Sequence, residues 1–161
     1  DLANDYGNLA QRVLSMIARN CEGRVPEAGA PGGEDTALLS AVGGLLPRLR
    51  DEMAVPAPHK ALEAIWEVIG LANRWVDAQA PWTLRKTDPA RMRSVLWVLA
   101  ETVRQLAVLT QPFMPDASGK LLDQLAVPAD ARTFAALGDA LAAGTALPAP
   151  QGVFPRLVEA G

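Results

Sequence analysis

The sequence predicts an all-α protein, built as an antiparallel bundle of four to five helices, and three observations lead to this prediction. Alanine occurs 29 times among the 161 residues and leucine is also frequent, and both are strong helix formers. Apolar residues recur at steps of three and four along several long stretches. No alternating pattern long enough for a strand interrupts them. A chain of this length buries one core of its own, so we predict a single domain over residues 1–161.

Helix one is predicted over residues 1–20. Its apolar stripe consists of residues spaced by three or four positions: Leu2, Tyr6, Leu9, Val13 and Ile17. A polar stripe beside it includes Asn8 and Arg12. The pattern stops at Glu22-Gly23, and residues 23–35 contain four glycines, two prolines and almost nothing large and apolar. We expect this Gly/Pro-rich segment to be a mobile loop.

Helix two is shorter and is expected to run from an N-cap at Asp35 or Thr36 to about Arg50. Leucine and valine side chains supply its apolar side. Gly43-Gly44 weaken its middle, because glycine is a poor helix former. Pro56 and Pro58 lie in the connection after it.

Helix three, over residues 59–78, has the clearest helical periodicity in the chain. Trp66 and Asn73 lie on its apolar side. We therefore expect Trp66 in the core, and Asn73 to be buried and hydrogen-bonded. Ala80-Pro81 ends the helix, because the residue before a proline is pushed out of the α region.

Helix four begins with Asp88 as its N-cap and Pro89 at its first position, and it continues to about Thr110. Further prolines then make the chain more irregular. The remaining predicted elements are short helices near residues 116–125 and 130–138, and then an irregular tail over about 139–161.

Composition excludes several kinds of catalytic or metal site. Cys21 is the only cysteine and His59 the only histidine, so a disulfide framework, the common zinc sites and His-based triads are excluded. The glycines of residues 29–33 lack the preceding strand and the Gly-Lys-Ser/Thr sequence of a phosphate loop. Glu63 and Glu67 lie one turn apart on a helix and are best explained as a solvated face. We therefore assign no catalytic residue and no metal ligand to this chain.

The sequence carries no targeting or membrane signal. No apolar run reaches the ~18–20 residues of a membrane span, and no signal peptide opens the chain, so we expect a cytosolic protein without a membrane partner. The first residue is not Met and already lies inside a helical pattern. We therefore expect a piece of a longer protein.

Charge varies along the chain in a way that indicates a local binding surface. The net charge of −3 argues against a strongly basic surface over the whole molecule. Between positions 74 and 93, however, only Asp77 and Asp88 oppose a set of five cations: Arg74, Arg85, Lys86, Arg91 and Arg93. Trp82 stands among them, its backbone restrained by Pro81. A fixed indole near cations suits base stacking with phosphate neutralisation. The alternative is that Trp82 folds back as a hydrophobic cap on helix three.

Asn8 and Arg12 are spaced i, i+4, so both lie on one face of helix one. An amide beside a guanidinium offers a donor–acceptor pair and a planar donor fork, which suits the reading of base edges. The alternative is an exposed polar face with a local hydrogen bond.

Four segments of the sequence are distinctive when taken together. They are Asp1-Leu2-Ala3-Asn4-Asp5-Tyr6-Gly7-Asn8-Leu9-Ala10-Gln11-Arg12, Ala72-Asn73-Arg74-Trp75-Val76-Asp77 with Ala80-Pro81-Trp82 and Leu84-Arg85-Lys86, Gln111-Pro112-Phe113-Met114-Pro115, and Val153-Phe154-Pro155-Arg156. In order and spacing they resemble the anticodon-binding domain of bacterial methionyl-tRNA synthetases, and the resemblance covers nearly the whole chain. The Asn-Leu-x-x-Arg and Pro-Trp elements are specific in combination. Trp75 stands where the family usually has a tyrosine.

The resemblance implies the helical C-terminal domain of a class I aminoacyl-tRNA synthetase, which reads the CAU anticodon of tRNA(Met). It implies that Trp82 stacks on an anticodon base and that Asn8 and Arg12 contact the anticodon, above all its first base. Arg85, Lys86 and Arg74 are then expected to hold phosphates. The family's HIGH-type and KMSKS-type signatures are absent from this sequence. The ATP, methionine and zinc sites are therefore expected in a catalytic domain outside this chain. The chain itself is expected to bind neither a cofactor nor DNA.

Two alternatives stay open from the residues alone. One is the helical anticodon-binding domain of another class I synthetase. The other is a helical protein–protein adaptor with no role in RNA binding.

Overall fold

The computed structural model describes residues 2–29, 32–53 and 58–150. Within these residues the chain forms seven α-helices joined by short connections. They are α1 (Leu2–Asn20), α2 (Gly33–Gly43), α3 (Leu45–Met53), α4 (Pro58–Gln79), α5 (Pro81–Thr87), α6 (Pro89–Thr110) and α7 (Pro115–Gln124). The all-α prediction is confirmed. Expectations that fell on Asp1, Ala30, Pro31, Pro56 and residues 151–161 lie outside the described part of the chain.

Helix α6 is the centre of the bundle. Sixteen of its 22 residues are buried, and it packs against α1, α2, α4, α5 and α7. A helix that is apolar on nearly all sides must be surrounded in this way. The predicted stripe of α1 faces it, with Tyr6, Leu9, Val13 and Ile17 fully buried. The Tyr6 hydroxyl lies 3.3 Å from Thr110 Oγ1, and burial raises the pKa of Tyr6 well above its usual value against a smaller opposing effect of that hydrogen bond.

The predicted second helix is in fact two helices. Helix α2 begins at Gly33, before Asp35, and the Asp35 carboxylate accepts a hydrogen bond from the Gly32 backbone N–H at 3.2 Å. The chain breaks at Gly44, and α3 begins at Leu45 with Pro47 in its first turn. Because proline has no N–H and its ring collides with the carbonyl four residues earlier, Pro47 does not allow one helix to continue through Gly43. Glycine alone would have weakened the helix, whereas glycine together with proline divides it.

The predicted third helix ends before Pro81 as expected, but the next segment is a further helix rather than a plain connection. Ala80 adopts a left-handed backbone conformation, with φ 45° and ψ 61°. Pro81 then opens the seven-residue helix α5, which the apolar periodicity did not predict, and Asp88 separates it from α6. The Asp88 side chain accepts a hydrogen bond from the Arg91 N–H, which confirms its predicted role as the N-cap of the central helix.

The predicted helix over 130–138 is wrong in type. The chain there forms two 3-10 turns, Ala129–Ala131 and Phe134–Gly138. A buried ion pair on α6 explains the second one: Arg104 donates to the carbonyls of Ala136 (3.4 Å) and Leu137 (2.6 Å) while it binds Glu101 in two places. Carbonyl groups that are turned toward a buried guanidinium are not available for a regular α-helix.

Part of the Gly/Pro-rich segment pairs with the region predicted as an irregular tail. Val25 is buried; its N–H donates to the Thr145 carbonyl at 2.9 Å, and its own carbonyl accepts from the Gly144 N–H at 2.8 Å. Arg24 and Ala146 form an antiparallel bridge, which is the only β pairing among residues 2–29, 32–53 and 58–150. Residues 23–25 and 144–147 therefore hold each other against the bundle. Of the helices that the structure describes, none combines the length and the apolar character needed to cross a lipid bilayer.

Candidate nucleic-acid interface

A cleft of about 420 Å³ lies between α1 and α4. Its lining consists of three residues from each helix: Asp5, Asn8 and Arg12 from α1, and Gly70, Asn73 and Arg74 from α4. The spacings of three and four residues place each set on one face of its helix. Two of the residues predicted to contact an anticodon, Asn8 and Arg12, thus line the same cleft as Arg74, which was predicted to contact phosphate.

One end of the cleft is held by Asp5, which α4 binds in two places. The Asn73 side chain donates to the Asp5 carbonyl at 3.2 Å, and the Trp66 indole N–H donates to the Asp5 carboxylate at 2.9 Å. The prediction that Asn73 is hydrogen-bonded is confirmed, although it is only half-buried. The prediction that Trp66 lies in the core is wrong, since the residue is 40% exposed. Ile65 occupies the core-facing position, and Trp66, one residue further around the helix, faces the edge of the cleft.

At the other end, Arg12 crosses from α1 to α4 and meets α5. Its guanidinium donates to the Asp77 carboxylate at 2.7 Å, and its Cζ lies 5.8 Å from the centre of the Trp82 ring. That separation is within the range of a cation–π contact. The guanidinium is thus restrained by an ion pair with α4 and by its proximity to the indole of α5. Asn8, one turn earlier on the same face, is exposed to solvent.

Trp82 is 49% exposed, the most exposed large apolar side chain among the described residues. The packing at this end of α4 is made by its neighbours: Pro81 is buried and Leu84 packs against the core. The alternative of Trp82 as a hydrophobic cap does not account for this arrangement, since half of the residue stays in solvent beside a cation.

The cations of the basic stretch have different surroundings. Arg74 is exposed, and its guanidinium lies over Gly70, where an added Cβ would come within 3.3 Å of Nη1. Arg85 and Lys86 are exposed in the last turn of α5, and Arg85 Nη1 is 3.5 Å from the Asn20 side-chain oxygen. Arg91, by contrast, forms a two-point ion pair with Asp35 and faces the protein. Arg74, Arg85 and Lys86 are therefore available to an anionic ligand, and so is Arg93, which is also exposed.

The arrangement suits an unpaired base better than a compact anion. The carboxylates of Asp5 and Asp77 at the two ends disfavour a phosphate inside the cleft, whereas amide, carboxylate and guanidinium groups can pair with base edges. Trp82 offers a π-face at the rim. The roles of Asp5, Asp77 and Gly70 were not predicted. Their spacing of three or four residues from Asn8 and Asn73 was the available signal. Among the residues that the structure describes, no group of three or more His, Cys, Asp or Glu side chains is placed to hold a metal ion.

Comparison with known proteins points in the same direction. Residues 25–160 match the family described as the anticodon binding domain of methionyl tRNA ligase. The chain is 57% identical over 161 residues to the methionine–tRNA ligase of Brucella suis, covering 99% of this chain and 31% of that protein. It is 52% identical to the corresponding ligase of Mycobacterium tuberculosis, again covering 31% of the relative.

Solved structures agree with the sequence relatives. The structure of Mycobacterium tuberculosis methionyl-tRNA synthetase in complex with methionyl-adenylate superposes with a TM-score of 0.94 at 52% identity, over 97% of this chain and 31% of that one. The free-state structure of the same protein has a TM-score of 0.94 as well. This chain thus spans about a third of the length of the relatives that it matches. The chain belongs to the family of anticodon-binding domains of methionyl-tRNA ligases.

Proposed function

We propose that this domain reads the CAU anticodon of tRNA(Met) within a methionine–tRNA ligase, the enzyme that attaches methionine to tRNA with the use of ATP. The family supports this proposal at the level of the domain. The observation that carries it at the level of residues is the half-exposed ring of Trp82, with the Arg12 guanidinium beside it and the cleft next to both.

Three side chains would make the recognition. Trp82 stacks on one anticodon base, which contributes about 1–3 kcal/mol for each stacked base. Asn8 and Arg12 hydrogen-bond to base edges, above all those of the first anticodon base. The contact between Arg12 Nη2 and Asp77 restrains the guanidinium, whose fork of donors suits such pairing.

The exposed cations would hold the backbone. Arg74 lines the cleft, and Arg85 and Lys86 lie on the helix that carries Trp82; we propose that they bind phosphates of the nucleotides next to the stacked base. Contacts of this kind supply affinity without sequence information and make binding depend on salt.

The remaining parts of the reaction belong to the rest of the ligase. The ATP, methionine and zinc sites lie in a catalytic domain outside this chain, and that domain is its partner in the same polypeptide. We place the enzyme in the cytoplasm, where tRNA is charged. No catalytic residue is assigned to the chain itself.

The central experiment replaces Trp82 by alanine in the full ligase. We expect the KM for tRNA to rise about 5- to 150-fold, the equivalent of losing the ~1–3 kcal/mol of one stacked base, while methionyl-adenylate formation stays near its original rate. Phe134→Ala is the matched control, because Phe134 is also an exposed aromatic residue but lies on the second 3-10 turn and not at the cleft. Unchanged charging kinetics of Trp82→Ala would remove the stacking role.

Two binding measurements address the remaining alternatives. A tRNA with a changed anticodon should lose binding, which a domain from another class I synthetase would not require. Binding should also weaken as salt rises, whereas a protein–protein adaptor would show no salt-dependent binding of tRNA.

A further inference from the structure

We propose that Asp35, Arg91 and Gln79 form a positioning network that sets the direction of Trp82, so that a carboxylate buried under α6 determines how well the domain binds RNA. The inference rests on the proposed stacking role of Trp82. None of the three residues touches the cleft itself.

The first link is the ion pair between α2 and α6. Arg91 donates to both oxygens of Asp35 at 2.7 Å, and the Asp35 side chain is only 1% exposed. These hydrogen bonds hold the pKa of Asp35 below its usual value, against the opposing effect of burial. A planar two-point pair of this kind fixes orientation as well as distance. Arg91 is therefore held in one place by a residue from the start of α2.

The second link runs from Arg91 to both ends of α5. Its Nη2 also donates to the Gln79 side-chain oxygen at 2.9 Å, and Gln79 is the last residue of α4. Its backbone N–H donates to the Asp88 carboxylate at 3.1 Å, where α5 ends and α6 begins. One residue thus connects the position before α5 to the position after it. The seven-residue helix that carries Trp82 is held between these two contacts.

The third link is the backbone of Ala80, which lies between Gln79 and Pro81. Its φ of 45° is a left-handed conformation that is unfavourable for a residue other than glycine. Such a conformation persists only when the surrounding structure holds it. Gln79 is held from both sides, because its amide also donates to the Glu34 carboxylate at 2.6 Å. Gln79 therefore fixes the direction in which the chain enters α5, three residues before Trp82.

The charges around Arg91 do not favour a direct role in RNA binding. Its donors face Asp35 and Gln79, and Glu34 and Asp88 add further negative charge nearby. A phosphate would have to compete with these groups at close range. The network accordingly acts through Trp82 rather than through a contact of its own.

Asp35→Asn in the full ligase gives a test in which the two possible effects have opposite signs. Removing a negative charge near an RNA-binding surface favours RNA on electrostatic grounds alone. The positioning network requires the reverse, and we expect the KM for tRNA to rise about 3- to 30-fold, a fraction of what one stacked base contributes. Methionyl-adenylate formation should not change. Gln79→Ala should give the same result while leaving the Asp35–Arg91 pair in place, so the test stands even where Asp35→Asn does not fold.

Glu101→Gln is the matched control. Glu101 is also a buried carboxylate in a two-point pair with an arginine of α6, but this pair holds the second 3-10 turn rather than α5. A rise in the KM for tRNA as large as that of Asp35→Asn would mean that any loss of buried pairing weakens RNA binding, and would overturn the proposal.

A double-mutant cycle with Trp82→Ala decides whether the network acts through the indole. In the Trp82→Ala background, Gln79→Ala and Asp35→Asn should add little further loss, because the side chain that they position is gone. Additive losses would overturn the inference, as would an unchanged or lower KM for either variant alone. The failure of the proposed function is seen separately, as an unchanged KM for Trp82→Ala on its own.

Discussion

Replacing Arg104 by methionine should be among the most destabilising single changes that this chain can carry. The guanidinium is 2% exposed and lies on α6, the helix at the centre of the bundle. It binds both oxygens of Glu101, at 2.6 and 2.8 Å, and also the carbonyls of the second 3-10 turn. Methionine keeps the volume of the stem but leaves a buried carboxylate without its cation.

The size of the effect depends on the donors that remain after the change. Removing one partner of a buried ion pair costs about 3–5 kcal/mol. Glu101 keeps two other donors, the Gln105 side chain at 2.9 Å and the Leu141 N–H at 3.1 Å, so we expect a value near the lower end, about 3 kcal/mol. With an m value of about 1–3 kcal/mol/M in urea, the unfolding midpoint should fall by roughly 1–3 M.

The assay is urea unfolding monitored by far-ultraviolet circular dichroism, with Arg48→Ala as the control. Arg48 pairs with Glu67 at 2.9 Å, but both side chains are exposed, so this change should barely move the midpoint. A double variant with Glu101→Leu should recover part of the loss, since no buried charge is then left unpaired. Equal small shifts for Arg104→Met and Arg48→Ala would refute the argument, because burial would then make no difference to the energy of the pair.

Three further predictions concern the neighbourhood of the candidate site. Hydrogen bonds from Arg91 lower the pKa of Asp35 below its value in the unfolded chain. The carboxylate therefore stabilises the fold above the unfolded pKa, and this stability is lost as pH falls through the folded pKa. When the urea unfolding midpoint is measured as a function of pH, it should fall less steeply with acid for Asp35→Asn than for the parent. Gly70→Ala should raise the free energy of unfolding by up to about 1 kcal/mol, because alanine is the better helix former. The new Cβ would lie 3.3 Å from Arg74 Nη1, so the guanidinium must shift and the KM for tRNA should rise. A gain in stability without a change in KM would show that Arg74 takes no part in RNA binding. Ala80→Gly should relieve the left-handed strain and raise the free energy of unfolding by about 0.5–1 kcal/mol in thermal or urea unfolding. It should also raise the KM for tRNA, because the turn before Trp82 is less constrained. A gain in stability together with a lower KM would contradict that reasoning.

Helical periodicity was sufficient to predict the helices that bury a complete stripe of apolar side chains. The stripe of α1 and the capping by Asp88 are confirmed because each depends on neighbours within one turn. The elements that periodicity missed depend on partners distant in sequence or on residues acting in combination. The second 3-10 turn is shaped by Arg104, some thirty positions earlier, and the break at Gly44 results from the combination of glycine with Pro47, whose ring excludes a continuous helix.

The candidate site was predictable to the extent that its residues share a helix face. Spacing placed Asn8 beside Arg12, and the basic stretch drew attention to Trp82. Spacing did not show that Asp77 on another helix would orient Arg12, since that contact joins residues 65 positions apart. The prediction for Trp66 was wrong for a related reason. Its indole N–H donates to the Asp5 carboxylate, 61 positions away in sequence, and this contact holds the side chain at the surface rather than in the core.

The pairing of residues 23–25 with 144–147 has a consequence for where this chain can be shortened. The Leu147 N–H donates a hydrogen bond to the Gly23 carbonyl at 2.8 Å. The segment between α7 and Leu147 also supplies the carbonyls to which Arg104 donates and the Leu141 carbonyl to which the Trp97 indole donates. A polypeptide cut after α7 would keep every long helix but lose these acceptors, exposing Val25 and leaving the buried Arg104 with Glu101 but without its two carbonyl acceptors. The smallest folded unit therefore extends to the pairing of residues 23–25 with 144–147 and does not end at the last helix. We expect residues 134–147 of the intact chain to resist proteolysis for this reason.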